Sequence, residues 1–99
     1  MQNQNASDKT TEHVLKTLAP YWDAIKRGDK AFEVRRDDRG FQRGDVLVLR
    51  RMSKSSLGAW REDFEFDEYR DLRRRVSYIL TGGQFGIEPG YVVMGLQDV

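Results

Sequence analysis

Cysteine is absent from this chain, which removes disulfides and cysteine-ligated zinc from consideration. The absence fits a reducing compartment, and the cytoplasm is the expected location. Histidine occurs once, at His13, so a histidine-rich metal site is excluded; no metal and no cofactor are expected. No apolar run approaches the ~18 residues that a membrane-crossing helix needs, so no membrane partner is expected. Residues Met1 to Thr11 contain no apolar stretch of the signal-peptide kind. Their Gln, Asn, Ser, Asp and Thr content reads as a disordered leader, leaving residues 12–99 as the folded domain. A marked excess of either charge is absent too. Seventeen Lys and Arg face sixteen Asp and Glu, a formal net charge of +1, so bulk charge argues neither for nor against nucleic acid.

What is present is enough for one small core. A chain of 99 residues supports a single domain, and five Phe, four Tyr and two Trp can anchor it. The charges are grouped. Arg35, Arg36, Arg39 and Arg43 form one basic cluster and Arg70, Arg73, Arg74 and Arg75 another, while acids concentrate from Glu62 to Glu68. A near-neutral chain can therefore carry a basic face and an acidic loop.

Along the chain, Glu12 to Thr17 reads as a first strand and Leu18 to Arg27 as a helix. Pro20 suits the first helical turn, where its missing N–H is not needed. Leu18, Tyr21, Trp22 and Ile25 follow the spacing of one apolar face, and Gly28 can supply the left-handed residue after the helix. Ala31 to Arg36 reads as the second strand. Val46 to Arg51 reads as the third; it is apolar on both faces and so predicted to be central. Ser53 to Ala59 is a polar loop, and Trp60 to Tyr69 is either a short strand or an irregular flap. Leu72 to Leu80 and Tyr91 to Leu96 are strands joined by the glycine-rich loop Thr81 to Gly90. The expected fold is α+β: a small mixed β-pseudo-barrel of five to six strands with one main helix.

The segment Arg27 to Arg36 is the most informative. Phe32 and Val34 alternate with Glu33 and Arg35, and Lys30 sits at the helix-to-strand junction. Charged groups of both signs are held close on rigid backbone, which makes either a polar pocket floor or a salt-bridged, solvated strand. A desolvated lysine beside a carboxylate can act as base or nucleophile, so Lys30 and Glu33 are the candidate catalytic pair. Arg35 can offer a planar fork to phosphate or a base edge. Arg39, Arg73 and Arg75 are candidates for phosphate contact against the alternative of solvated faces. Gln84, in a loop whose glycines allow close approach, can read a base edge, or the loop is a tight turn with Phe85 as a core plug. Trp22 and Tyr78 can stack on a base or belong to the core. His13 has no visible partner.

Gly28 to Arg35, Asp38 to Asp45 and Tyr78 to Val93, with Lys16 and Leu18 before them, resemble a small uncharacterised bacterial and phage family of the ASCH group, within the PUA-like superfamily. The resemblance spans roughly His13 to Leu96. It implies a PUA-like pseudo-barrel with a cleft between helix and barrel, and a link to RNA, nucleotides or modified bases. Related ASCH proteins include an amidohydrolase acting on acylated cytidine and RNA-cleaving members. Lys30 matches the amidohydrolase lysine, and Glu33 stands where its threonine would be. The expected function is an RNA- or nucleotide-binding module, probed against two rivals. One is an amidohydrolase or ribonuclease using Lys30 and Glu33. The other is a phage accessory protein that docks on a host protein through Trp60 to Tyr69. A monomer is expected.

Overall fold

The computed structural model describes residues 10–99. Of the expected leader only Thr10 and Thr11 fall within the described residues; the remainder lies outside them. The elements run β1 (Glu12–Leu18), α1 (Ala19–Lys26), β2 (Phe32–Arg36), β3 (Val46–Lys54), β4 (Trp60–Glu62), a 3-10 turn (Asp67–Tyr69), β5 (Leu72–Thr81) and β6 (Tyr91–Asp98). One helix and a six-stranded mixed sheet make the domain α+β, as its pattern predicts.

Each element has a local cause. Pro20 lies in the first turn of α1. Gly28, at φ +88°, reverses the chain after the helix, and the N–H groups of Asp29 and Lys30 both return to the Ala24 carbonyl. That tight reversal delivers Lys30 directly to the start of β2. β3 extends to Lys54, beyond its apolar stretch, because β4 pairs with it through Met52↔Glu62 and Lys54↔Trp60. The backbone ladder carries the polar end of β3, so Ser53 and Lys54 are strand and not loop. The ambiguous stretch Trp60 to Tyr69 is thus a short strand, Trp60–Glu62, and a 3-10 turn, Asp67–Tyr69, with irregular chain between them.

The strand order is β1-β3-β5-β6-β2, with β4 added beside β3; β1 and β3 run parallel, and the other pairs are antiparallel. β3 is interior, as its two apolar faces predict. Leu47 and Leu49 point into the main core with Leu15, Trp22, Ile25, Phe41, Val76, Val92 and Met94. Val46 and Val48 are buried as well, registered opposite Arg75 and Arg73 on β5. α1 is pinned to β3 by Trp22, whose Nε1 donates to the Leu49 carbonyl at 2.9 Å. The expected four-residue apolar stripe of the helix splits. Trp22 and Ile25 are buried, while Leu18 and Tyr21 remain 45% and 53% exposed.

β1 and β2 end the strand path, and the sheet curls until these two ends face each other. They share no backbone ladder among the described residues; arginines span the gap instead. Arg35 Nη2 donates to the Lys16 carbonyl at 2.9 Å, and Arg39 Nη1 donates to the Val14 carbonyl at 2.9 Å. The edge of β1, which would otherwise show bare carbonyls, is thereby occupied by side chains. The seam between them is where the candidate site lies.

Candidate functional site

β2 is inverted relative to an ordinary half-buried strand. Its apolar residues Phe32 and Val34 are 45% and 49% exposed, whereas Glu33 is 4% exposed. An apolar side chain left in water forgoes favourable transfer free energy, and a carboxylate taken out of water must be compensated. The compensation is complete. Lys30 Nζ donates to Glu33 Oε1 at 2.8 Å and Arg35 Nε donates to Glu33 Oε2 at 2.8 Å, so each carboxylate oxygen holds one cation. Lys30 also donates to the Phe32 carbonyl, and Arg35 to Thr17 Oγ1 at 3.1 Å on β1. The Lys30 ammonium lies 4.7 Å from the Phe32 ring centroid and 5.7 Å from that of Tyr21, within cation–π range of both walls.

These residues line an open cleft of about 480 Å³ between α1, β1 and β2. Its floor is Thr17, Lys30, Glu33 and Arg35; its walls are Leu18, Tyr21, Phe32 and Val34, with Lys16 at the rim. The size suits a small ligand, and the make-up is that of a ligand pocket: apolar and aromatic walls around a few fixed polar groups. Three cations face one carboxylate, so the cleft favours an anion. The amine of Lys30 is committed as a donor to Glu33 and Phe32. The arrangement thus presents donors and charge, and its two exposed rings offer faces for a planar group.

Of the residues expected in the site, Lys30, Glu33 and Arg35 converge here, and Arg39 lies farther along the same seam. The others stand elsewhere. Trp22 is 1% exposed and is a core residue, so it has no face for a base. Gln84 donates to the Thr81 carbonyl at 2.9 Å and closes its own loop, where a Gln84–Ile87 bridge and the Gly83 N–H to Ile87 carbonyl bond form a tight turn. A Cβ on Gly82 would fall on the Glu88 carbonyl oxygen, so that glycine is required by the loop's own backbone. Phe85, at φ +54° and 83% exposed, is not the core plug of the tight-turn reading. Tyr78 is exposed on β5 beside Arg43, outside the cleft. Arg73 pairs with Glu12 at 2.7 Å, which holds the Glu12 carboxyl below the usual carboxylate range, and Arg75 donates to the Gly44 carbonyl at 2.9 Å. Both cover β3 and do not form a track toward the cleft. His13, without a visible partner in sequence, meets Asp45 at 2.8 Å and packs edge-on to Phe41.

The cleft residues that the sequence pattern did not single out are Lys16, Thr17, Leu18, Tyr21 and the exposed pair Phe32 and Val34. The alternation on β2 was a signal, but period two alone does not say which parity faces inward. Tyr21 counted by its spacing as part of the buried apolar face of the helix, yet it is 53% exposed.

The acidic segment is tied down. Asp63 is fully buried, accepting from Arg51 Nη1 at 2.9 Å, Ser53 Oγ at 3.0 Å and Arg61 Nε at 3.0 Å. The other side of the Arg51 fork grips Asp23 of α1 through two bonds of 2.9 and 3.0 Å, and this holds the Asp23 carboxyl below the usual carboxylate range. Among the described residues no three His, Asp or Glu side chains are placed to hold a metal ion. Among the same residues, no helix is long and apolar enough to cross a membrane.

Residues 12–96 match the family described as Domain of unknown function (DUF3850), and the chain belongs to that family. No curated protein matches the chain significantly.

Proposed function

We propose that this DUF3850 domain is a PUA-like module of the ASCH kind that binds RNA or a nucleotide in the β1–β2 seam. The carrying observation is the inversion of β2, which leaves Phe32 and Val34 exposed above a buried Glu33 clamped by Lys30 and Arg35. A fold that keeps aromatic surface wet and a carboxylate dry at one place supports a binding role there. In this reading Tyr21 and Phe32 hold a base by its faces, and Arg35 and Lys16 meet phosphate. Glu33 keeps the two floor cations in place. The motif resemblance from Gly28 to Arg35 adds support, since it puts the same residues at the helix–barrel cleft. The test is calorimetric titration of nucleoside monophosphates and short RNAs at low salt against the wild type and Lys30→Ala/Arg35→Ala. Binding that the double variant loses is expected, and no binding by the wild type overturns the reading.

The direct Lys30–Glu33 contact also favours a second reading, a hydrolase of the amidohydrolase or ribonuclease type. Both Glu33 oxygens are already engaged by cations, which suits a positioning carboxylate better than a free base. Incubation with acylated cytidine and with RNA, followed by product analysis, decides it: turnover abolished by Lys30→Ala supports it, and turnover that is absent or indifferent to Lys30 rejects it.

A further inference from the structure

Trp60 is the one aromatic side chain of β4, and the fold does not use it as core: it is 54% exposed. It shares a face with Lys54, its register partner, whose ammonium lies 5.0 Å from the ring centroid. Hollows of about 570 and 280 Å³ flank the indole. Both adjoin the cleft. Lys16 lines the first hollow and the cleft, and Leu18 lines the second hollow and the cleft. β1 lies beside β3 with Leu18↔Met52, and β4 lies beyond with Lys54↔Trp60. From the cleft wall to the indole is therefore about two strand spacings across and two residues along, on the order of 10 Å. Successive nucleotides of an extended strand span such a gap in one or two steps.

We infer that the outer face of β1, β3 and β4 is a second subsite for the strand whose first base occupies the cleft, with a following base stacked on Trp60 and its phosphate between Lys16 and Lys54. The ligand class is therefore single-stranded nucleic acid of at least two nucleotides, in preference to a free nucleotide. This rests on the cleft reading above and extends it. Three observations carry it. An exposed indole is a stacking platform that accepts any base. Lys16 is 68% exposed and only 3.9 Å from Glu62, a loose surface pair that phosphate can displace. The hollows adjoin the cleft, with only the side chains of Lys16 and Leu18 between them, so the two positions are neighbours on one surface.

The experiment compares UMP, CMP and AMP with the matching ribo- and deoxyribo-homotetranucleotides on wild type, Trp60→Ala and Arg35→Ala. Affinity comes from calorimetry, and Trp60→Phe identifies which tryptophan reports in fluorescence, since Trp22 is 1% exposed. Tetranucleotides are expected to bind at least about tenfold tighter than monophosphates, as one stacked base warrants. Trp60→Ala removes that gain and leaves monophosphate affinity unchanged, and only the tetranucleotide quenches Trp60. Equal binding of ribo- and deoxyribo-strands upholds the inference for either sugar. A tetranucleotide no tighter than its monophosphate, or a gain that survives Trp60→Ala, overturns the second subsite while the cleft reading stands. Binding sensitive to Trp60→Ala but indifferent to Arg35→Ala removes the cleft reading, and the shared path with it. Self-association that Trp60→Ala abolishes, with strand binding untouched, assigns the face to a second copy of the chain and overturns the inference.

Discussion

Glu33→Gln keeps the volume of the side chain and removes its charge. In the wild type each carboxylate oxygen accepts one charge-assisted bond of 2.8 Å, from Lys30 and from Arg35. Bonds to charged groups contribute about 1.5–3 kcal/mol each. The amide retains one acceptor oxygen, so one of the two cations keeps a neutral bond and the other faces an NH2 group. Glu33 is nearly dry, with a side-chain exposure of 5%, while Lys30 and Arg35 are 17% and 25% exposed and recover part of their hydration. The loss is therefore below the ~3–5 kcal/mol of a fully buried broken pair, at about 2–3 kcal/mol. For a domain of this size that lowers Tm by about 10–20 °C. Urea denaturation of Glu33→Gln, Lys30→Met and the double variant measures it. The double variant is expected to be less destabilised than the sum of the singles, because Lys30→Met removes the cation that Glu33→Gln leaves unpaired. A Glu33→Gln loss below about 0.5 kcal/mol, with strictly additive singles, would refute the claim that Glu33 is the buried anchor of the site.

Three further outcomes follow from other contacts. Asp63→Asn removes the buried anion shared by Arg51 and Arg61; Arg51 keeps Asp23 and Arg61 is half exposed, so the expected cost is about 2–3 kcal/mol, read by denaturation and by faster proteolysis between residues 60 and 70. Trp22→Phe removes the indole bond to the Leu49 carbonyl together with buried ring volume and is expected to cost about 1–3 kcal/mol, with nucleotide affinity unchanged, since the indole faces the core. The Asp23 carboxyl, held low mainly by its hydrogen bonds to Arg51, binds a proton less readily folded than unfolded. Its contribution is full above the unfolded value of about 3.9 and is lost as pH falls through the depressed folded value, so the Tm difference between wild type and Asp23→Asn is expected to shrink as pH drops below about 4.

The elements of this domain were largely legible because their signals are local. Pro20 in the first turn, Gly28 after the helix and the two-faced apolar run from Val46 to Leu49 each act within a few residues. The face that β2 turns inward was not legible. Phe32-Glu33-Val34-Arg35 alternates equally well with either parity inside, and the outcome depends on β2 being an end strand with Lys30 and Thr17 near enough to satisfy Glu33 and Arg35. Thr17 reaches the site only because the sheet curls, a long-range event with no local trace. His13 likewise gains its partner Asp45 from 32 positions away. The arginines misled for a related reason. Composition groups Arg73 and Arg75 with a basic face, yet strand pairing puts them opposite Val48 and Val46, where their stems shelter apolar surface and their heads find Glu12 and the Gly44 carbonyl.

The central claim is that the β1–β2 seam is the binding site, and amide chemical-shift mapping by NMR tests it most directly. Titration with a ribonucleoside monophosphate is predicted to shift amides from Lys16 to Tyr21 and from Lys30 to Arg35 most strongly, on two segments that only the folded seam brings together. Saturating shifts centred instead on the Thr81 to Gly90 loop or the β5 arginines, or no shifts at low salt, would contradict the account.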